Sequence, residues 1–277
     1  MRPLTTTSFK MVYVGSILAL PNNINGEYES QYLAWLKAAD PFTNISGMTG
    51  TAADRSHSSS VGDYVKAMWE LAGKGSASTK EVAEKLSVSS ASVTGMFGRL
   101  QEMGLAGYER YRGAYLTDAG LAEALRLVRR HRLIETFLME HLGYSWQDVH
   151  EEAERLEHAV SDEFTERLAD LLGHPARDPH GDLIPAADGT LILESSKPLS
   201  EAQAGQRVRI VKVDDDSATV LNHLGERGLV PGRTLSVKEV RSVDGVVTVE
   251  DGDGKEHPLG EKLARAIFVE NATHENQ

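Results

Sequence analysis

The sequence predicts a mostly α chain with an α+β character: a winged helix-turn-helix, a helical domain and a small C-terminal β-barrel. Three observations carry this. Between Val61 and Leu116, capped runs of helical period give way to a short alternating hairpin. The stretch Ser145 to Leu172 reads as an amphipathic helix rich in His and Glu. Beyond Gln206, short alternating runs are separated by Gly and Asp turns. The expected organisation is an N-terminal extension over 1–60, the winged helix over 61–120 and the helical domain over 121–193. A linker over 194–204, the β domain over 205–270 and a tail over 271–277 complete it.

Residues 1–60 have weak periodicity, one short helix over Glu29 to Ala39 and a tail rich in Ser, Thr and Gly. The apolar run Met11 to Leu20 follows Arg2 and Lys10 like the start of a signal peptide, but no clean cleavage site follows it. That run is about half of what a bilayer needs, so no membrane span is expected.

From Val61, the residues Val61, Tyr64, Val65, Met68 and Trp69 recur at helical spacing and Gly73 ends the run. Ser78 and Glu81 form a capping box that opens a second helix through Leu86. Ser89 then precedes a third helix that runs to Met103 and stops at Gly104, with Val93, Phe97 and Leu100 inward. A short capped helix, a tight turn and a second helix make a helix-turn-helix. Its Ser-rich N-terminus offers hydroxyls and free amides to DNA, which assigns base and backbone contacts to Ser89, Ser90, Ala91, Ser92, Thr94 and Arg99. Two strands around Glu109–Gly113 form a wing whose Arg110 and Arg112 would meet phosphate.

Thr117 or Asp118 caps a long helix through Leu142, on which His131 and Glu135 share a face. On the next helix, His150, Glu154, Glu157 and His158 fall within an arc of roughly 100°. Leu156, Ala159, Val160, Phe164, Leu168 and Leu171 give that helix a neighbouring apolar stripe to bury against another helix or a second copy. Two imidazoles and two carboxylates without thiolate suit manganese or ferrous iron better than structural zinc. A solvated acidic helix face is the bland alternative.

The chain has no cysteine, which excludes disulfides, zinc–thiolate sites and cysteine nucleophiles. Its net charge of −12 argues against bulk coating of nucleic acid. The acidity is local, however. Residues 61–117 carry 7 basic against 6 acidic side chains, whereas 118–172 carry 6 against 13. DNA binding by the first segment stays open.

Taken together, the winged helix, HRLIE (131–135) and VHEEAERLEHAVSDE (149–163) resemble the diphtheria toxin repressor family of metal-dependent transcriptional regulators, including its manganese-responsive branch. The resemblance implies a primary metal site of Asp63, Glu154, Glu157 and His158. It also implies an ancillary site to which His131, Glu135 and His150 contribute. Glutamate at 154 and aspartate at 63 follow the manganese branch, where iron-responsive relatives carry cysteine and methionine. Two departures stand out. Lys66 replaces a glutamate that binds metal in short manganese regulators, and Gly95 replaces a base-facing glutamine.

The segment 221–237, LNHLGERGLVPGRTLSV, resembles the SH3-like, FeoA-like domain of longer members. The Glu-x-x-Gln pair that some members use in the ancillary site is missing, leaving His223 and Glu226 as substitutes. Asp251-Gly-Asp253-Gly reads as a hairpin turn rather than a calcium loop, since no downstream glutamate follows. ATVLNHL (218–224) reads as one of the strands.

The resulting expectation is a cytoplasmic, homodimeric repressor of metal-uptake genes, with Mn2+ as co-repressor and double-stranded operator DNA as partner. It expects no membrane, no small organic substrate and no catalysis. An iron-responsive repressor using Fe2+ is the alternative within the family. A metalloenzyme using the His/Glu cluster is the alternative from another class, and it would leave the winged helix unexplained.

Overall fold

The computed structural model describes residues 59–71, 75–109, 113–191, 195–214, 217–241 and 243–272. Residues 1–58 of the expected extension, the helix expected at 29–39 and the wing-tip residues Arg110 and Arg112 lie outside them, whereas Ser59 and Ser60, expected in the extension, open the first helix. The chain divides into two compact units at Ala124/Leu125, each described by itself below. Among the described residues, no helix is long and apolar enough to cross a membrane.

The first unit is the winged helix. It contains α1 (Ser59–Leu71), α2 (Thr79–Lys85), α3 (Ser90–Glu102), β1 (Ala106–Glu109) and β2 (Gly113–Leu116). Helix α1 buries Val61, Val65 and Met68. The capping box forms as expected: Glu81 N–H donates to Ser78 Oγ at 3.2 Å, and Ser78 N–H donates to Glu81 Oε2 at 3.0 Å. On α3, Val93, Phe97 and Leu100 are fully buried, so the Ser-rich face is turned outward. Strands β1 and β2 pair antiparallel, and Ala77 bridges to Ala114 to anchor the wing's base. Gly113 must be glycine, because φ is +98° and a Cβ would stand 2.4 Å from the Ala77 carbonyl oxygen.

The second unit begins within α4 (Asp118–Leu142), continues through α5 (Val149–Glu157) and α6 (Asp162–Leu171), and ends in a β domain. The single helix expected over 145–172 is two helices. Ser145 to Asp148 form a turn, and a break at His158–Ser161 separates α5 from α6. Ser161 causes the break, since its hydroxyl accepts from Phe164 N–H at 3.1 Å and caps a new helix. Arg126 and Arg130 both bind Asp162 in the first turn of α6. The apolar stripe splits with the helix. Leu168 is buried, but Phe164 is 44% and Leu171 61% exposed. The buried face of α5 consists instead of Val149, Ala153 and Glu157, spaced by one turn.

The β domain has strands β3 (Lys197–Pro198), β4 (Arg207–Val213), β5 (Thr234–Arg241), β6 (Val246–Asp251), β7 (Glu256–Leu259) and β8 (Ile267–Asn271). They form one antiparallel sheet in the order β3-β8-β4-β5-β6-β7, bent by irregular register in β4 and β5. Helices α7 (Ala218–Gly225) and α8 (Glu261–Ala266) complete it. ATVLNHL is therefore a helix, not a strand. Ser217 caps it, and Val220, Leu221 and Leu224 recur at helical spacing into the core. The domain also starts earlier than expected: Lys197 and Pro198 pair with β8, and Leu199 is fully buried in the same core. The Asp251-Gly-Asp253-Gly segment is the turn of the β6–β7 hairpin.

Candidate metal centre and nucleic-acid interface

The candidate metal centre is built around one carboxylate. Glu135 lies one helical turn beyond His131 on α4 and is completely buried, with His131 only 4% exposed. Glu135 Oε1 is 3.0 Å from both His131 Nε2 and His150 Nδ1, and the two imidazoles are 3.1 Å apart. A proton on His150 Nδ1 serves both acceptors, so this face of Glu135 satisfies itself. His131 Nδ1 donates to Glu157 Oε2 at 2.6 Å, which ties the His131–Glu135 pair to α5.

The other face differs. His180 donates its Nε2–H to the Trp146 carbonyl at 2.9 Å, which leaves Nδ1 to face Glu135. That atom lies 4.0 Å from Glu135 Oε2. Neither finds a hydrogen-bond partner among the described residues, and both are buried. A buried carboxylate oxygen and a buried imidazole nitrogen, both without a hydrogen-bond partner, can be bridged by a cation, a proton or a metal ion. Asp178 supplies a third donor, and Glu135, Asp178 and His180 offer atoms within 4.8 Å of one another. Burial first, then the charges of Asp182 and Glu135, push the Asp178 carboxyl well above its ordinary range against the pull of Arg132. Burial acts in the same direction on Glu135, but the imidazoles of His131, His150 and His180 outweigh it and hold that carboxyl well below the usual range. The residues therefore fit a divalent cation with oxygen and nitrogen donors.

The expected stripe on α5 is thus divided. His150 turns to Glu135, while Glu157 meets His131 and lies 3.4 Å from His158 Nε2. His158 caps the C-terminus of α5 in helical conformation, so the break that follows leaves its place on the stripe intact. The Glu154 side chain is 56% exposed and reaches His150 Nε2 at 3.6 Å. Asp63 is half-buried on α1 in the first unit. His223 and Glu226, at the end of α7, belong to no such donor cluster among the described residues. Asp178 and His180 are not among the sequence-predicted ligands, because they lie in a proline- and glycine-containing segment without helical spacing. An Asp, a His and a second Asp within five residues (178–182) was the available signal.

On α3, Ser89 to Ser92, Thr94 and Arg99 are all exposed. Ser89 Oγ accepts from Ser92 N–H at 3.1 Å as the helix cap, and Thr94 Oγ1 donates to the Ser90 carbonyl at 2.9 Å. Ser89 Oγ also lies 2.8 Å from Ser92 Oγ, so the hydroxyls of Ser89, Ser92 and Thr94 are all engaged within the first turns of the helix.

The models for the iron dependent repressor match in chain order. The N-terminal DNA binding domain covers residues 57–114, and the metal binding and dimerisation domain covers 117–186. A FeoA domain follows over 197–271. The chain is 31% identical over 178 residues to the diphtheria toxin repressor of Corynebacterium efficiens, covering 59% of this chain and 77% of that protein. The chain belongs to the diphtheria toxin repressor family of metal-dependent transcriptional regulators. A second relative, the iron-dependent repressor IdeR of Mycobacterium leprae, is 28% identical over 221 residues, covering 75% of this chain and 95% of that protein. Among solved structures, a manganese-dependent transcriptional repressor in complex with manganese superposes with a TM-score of 0.71 at 36% identity. It covers 76% of this chain and all of that one. For a member of the diphtheria toxin repressor family, the three described parts are the winged helix, the metal-binding and dimerisation helices and the SH3-like FeoA domain.

Proposed function

We propose that this chain is a manganese-responsive repressor, acting in the cytoplasm as a homodimer on double-stranded operator DNA of metal-uptake genes. The observation that carries the metal is the donor set. Every ligand candidate is a carboxylate or an imidazole, and the chain has no cysteine at all. A bound divalent cation supplies the positive charge that these groups lack among themselves. Glu157 and His158, with Glu154, form the primary site on α5, and the family resemblance adds Asp63 from the DNA-binding unit. A ligand shared in this way has differential affinity for the DNA-competent state, which is what couples metal to operator. Glu135 holds the second ion, with His131 and His150 on one side and Asp178 and His180 on the other.

Ferrous iron is the second reading, favoured by curated relatives that are named iron-dependent repressors. Fluorescence anisotropy of metal-stripped protein with labelled manganese- and iron-uptake promoters decides between them, titrating Mn2+, anaerobic Fe2+ and Mg2+. Binding driven by Mn2+ and reversed by chelator is the expected result. His158→Ala should abolish the Mn2+ response while leaving a folded dimer. An unchanged response from that variant would sink the assignment.

A further inference from the structure

The loop that carries Asp178 and His180 is also the seat of the C-terminal domain. Val213 N–H, on β4, donates to the His180 carbonyl at 2.8 Å. Gly181 packs so closely that a Cβ there would stand 2.1 Å from the Val211 carbonyl oxygen. Lys212, between those two strand residues, places Nζ 2.8 Å from Asp182 Oδ1. From the helical side, the Trp146 indole N–H donates to the Pro179 carbonyl at 3.0 Å, and its own carbonyl takes the His180 Nε2–H. The same indole packs against the core of the β domain. His180 is thus held on one side by a tryptophan wedged between two domains and on the other by a strand of the second domain.

We propose that Trp146 and Lys212 are positioning residues for the ion held by Glu135, Asp178 and His180, so that seating of the SH3-like domain sets that ion's affinity. Neither residue supplies a ligand. Trp146 fixes which imidazole nitrogen of His180 carries the proton and therefore presents Nδ1 to the ion, the role that an outer hydrogen-bond partner plays for a ligating histidine. Lys212 pins Asp182, four residues beyond Asp178 in a turn where Asp178 Oδ1 accepts from the Asp182 N–H at 2.9 Å. The domain connects to the ion through a backbone pairing and a lysine, without lending a donor.

The proposal rests on the second-ion reading above, and the full-length protein tests both separately. Mn2+ binding is measured by competition with a fluorescent chelator, alongside the emission of Trp146 in a Trp35→Phe/Trp69→Phe background, which retains one of the three tryptophans. The emission should change along the same isotherm as one class of bound Mn2+. Asp178→Asn should remove that class, and if it binds the wild-type complement the second-ion reading fails and the proposal with it. Lys212→Met should weaken the same class by about tenfold, as losses of outer-sphere partners do, and Lys212→Arg should restore it. The sign discriminates. If Lys212 acted only as a nearby positive charge, its removal would tighten cation binding. Unchanged or tighter binding by Lys212→Met, or a silent Trp146 while the class fills, would overturn the proposal and leave the second ion standing.

Discussion

Two buried aspartates organise two turns in the same way and end in different chemistry. Asp178 Oδ1 accepts from the N–H groups of His180 and Asp182, two and four residues on, each at 2.9 Å. Asp251 Oδ1 accepts from the N–H groups of Asp253 and Lys255, again two and four residues on, each at 3.0 Å. Each then faces a histidine or a guanidinium with its second oxygen. Asp251 Oδ2 receives His257 Nε2 at 2.9 Å with Arg233 at 3.5 Å, and it is held below the usual carboxylate range, first by the His257 hydrogen bond. Asp178 Oδ2 has Arg132 Nε at 3.4 Å but shares its surroundings with Glu135 and Asp182, and it is pushed up. The turn motif is common to both. What separates a structural aspartate from a candidate ligand is whether its neighbours leave it negative charge to share with a cation.

The largest expected effect breaks that pair apart. Asp178→Asn keeps the turn's acceptor oxygen but removes a metal donor, and should lower Mn2+ affinity at the second site by at least about 100-fold while the fold persists, the upper end of what loss of an outer partner costs. Asp251→Asn should leave Mn2+ isotherms unchanged and lower the melting temperature of the β domain, since His257 loses its charged acceptor. Isothermal titration and calorimetric melts of the two variants read both. If Asp251→Asn altered metal binding as much as Asp178→Asn did, the contrast would be void.

A smaller effect sharpens the same comparison through the glycines of the two turns. Gly254 has φ +79° and open space around a notional Cβ, so Gly254→Ala should cost only the left-handed penalty of about 1–2 kcal/mol. Gly181 has φ +92° and backbone in the way, so Gly181→Ala must move β4 or the loop and should cost clearly more. Chemical denaturation ranks them. Equal costs would mean that the loop and β4 are not in close register.

How much of this was legible in the sequence depends on how local the cause was. The winged helix was read from caps and apolar spacing, because Ser78, Glu81 and Ser89 act on amides three residues away. The helix break at His158–Ser161 was missed because 145–172 was read as one continuous helix, although a serine followed by Asp162 and Glu163 is itself a start signal. The same oversight hid α7 behind Ser217. His131, Glu135 and His150 were legible as ligand types. That His150 turns to Glu135 while Glu157 turns to His131 depends on how α4 packs on α5, which no spacing within one helix encodes. Asp178 and His180 are 43 and 45 positions from Glu135, and their role exists only once the loop folds back.

The smallest effect concerns pH, and here the two aspartates should act with opposite sign. The folded Asp251 carboxyl lies below its unfolded value, so its contribution to stability is present above the ordinary aspartate pKa of about 3.9 and is lost as pH falls through the folded value. The folded Asp178 carboxyl lies above its unfolded value, so the folded state holds that proton longer. Its contribution is present below about pH 3.9 and is lost as pH rises through the folded value. Metal-free protein should therefore show two opposed limbs in a plot of melting temperature against pH. Asp251→Asn should shrink the acid limb, to which the depressed Glu135 carboxyl also contributes, and Asp178→Asn should remove the other. Mn2+ displaces the proton from Asp178, so loading should release protons and reverse the second limb, while the part of the acid limb that Asp251 carries persists. A metal-loaded protein in which Asp251→Asn no longer altered the acid limb would place the ion's influence on Asp251, and the division between structural and ligand aspartates would have to be redrawn.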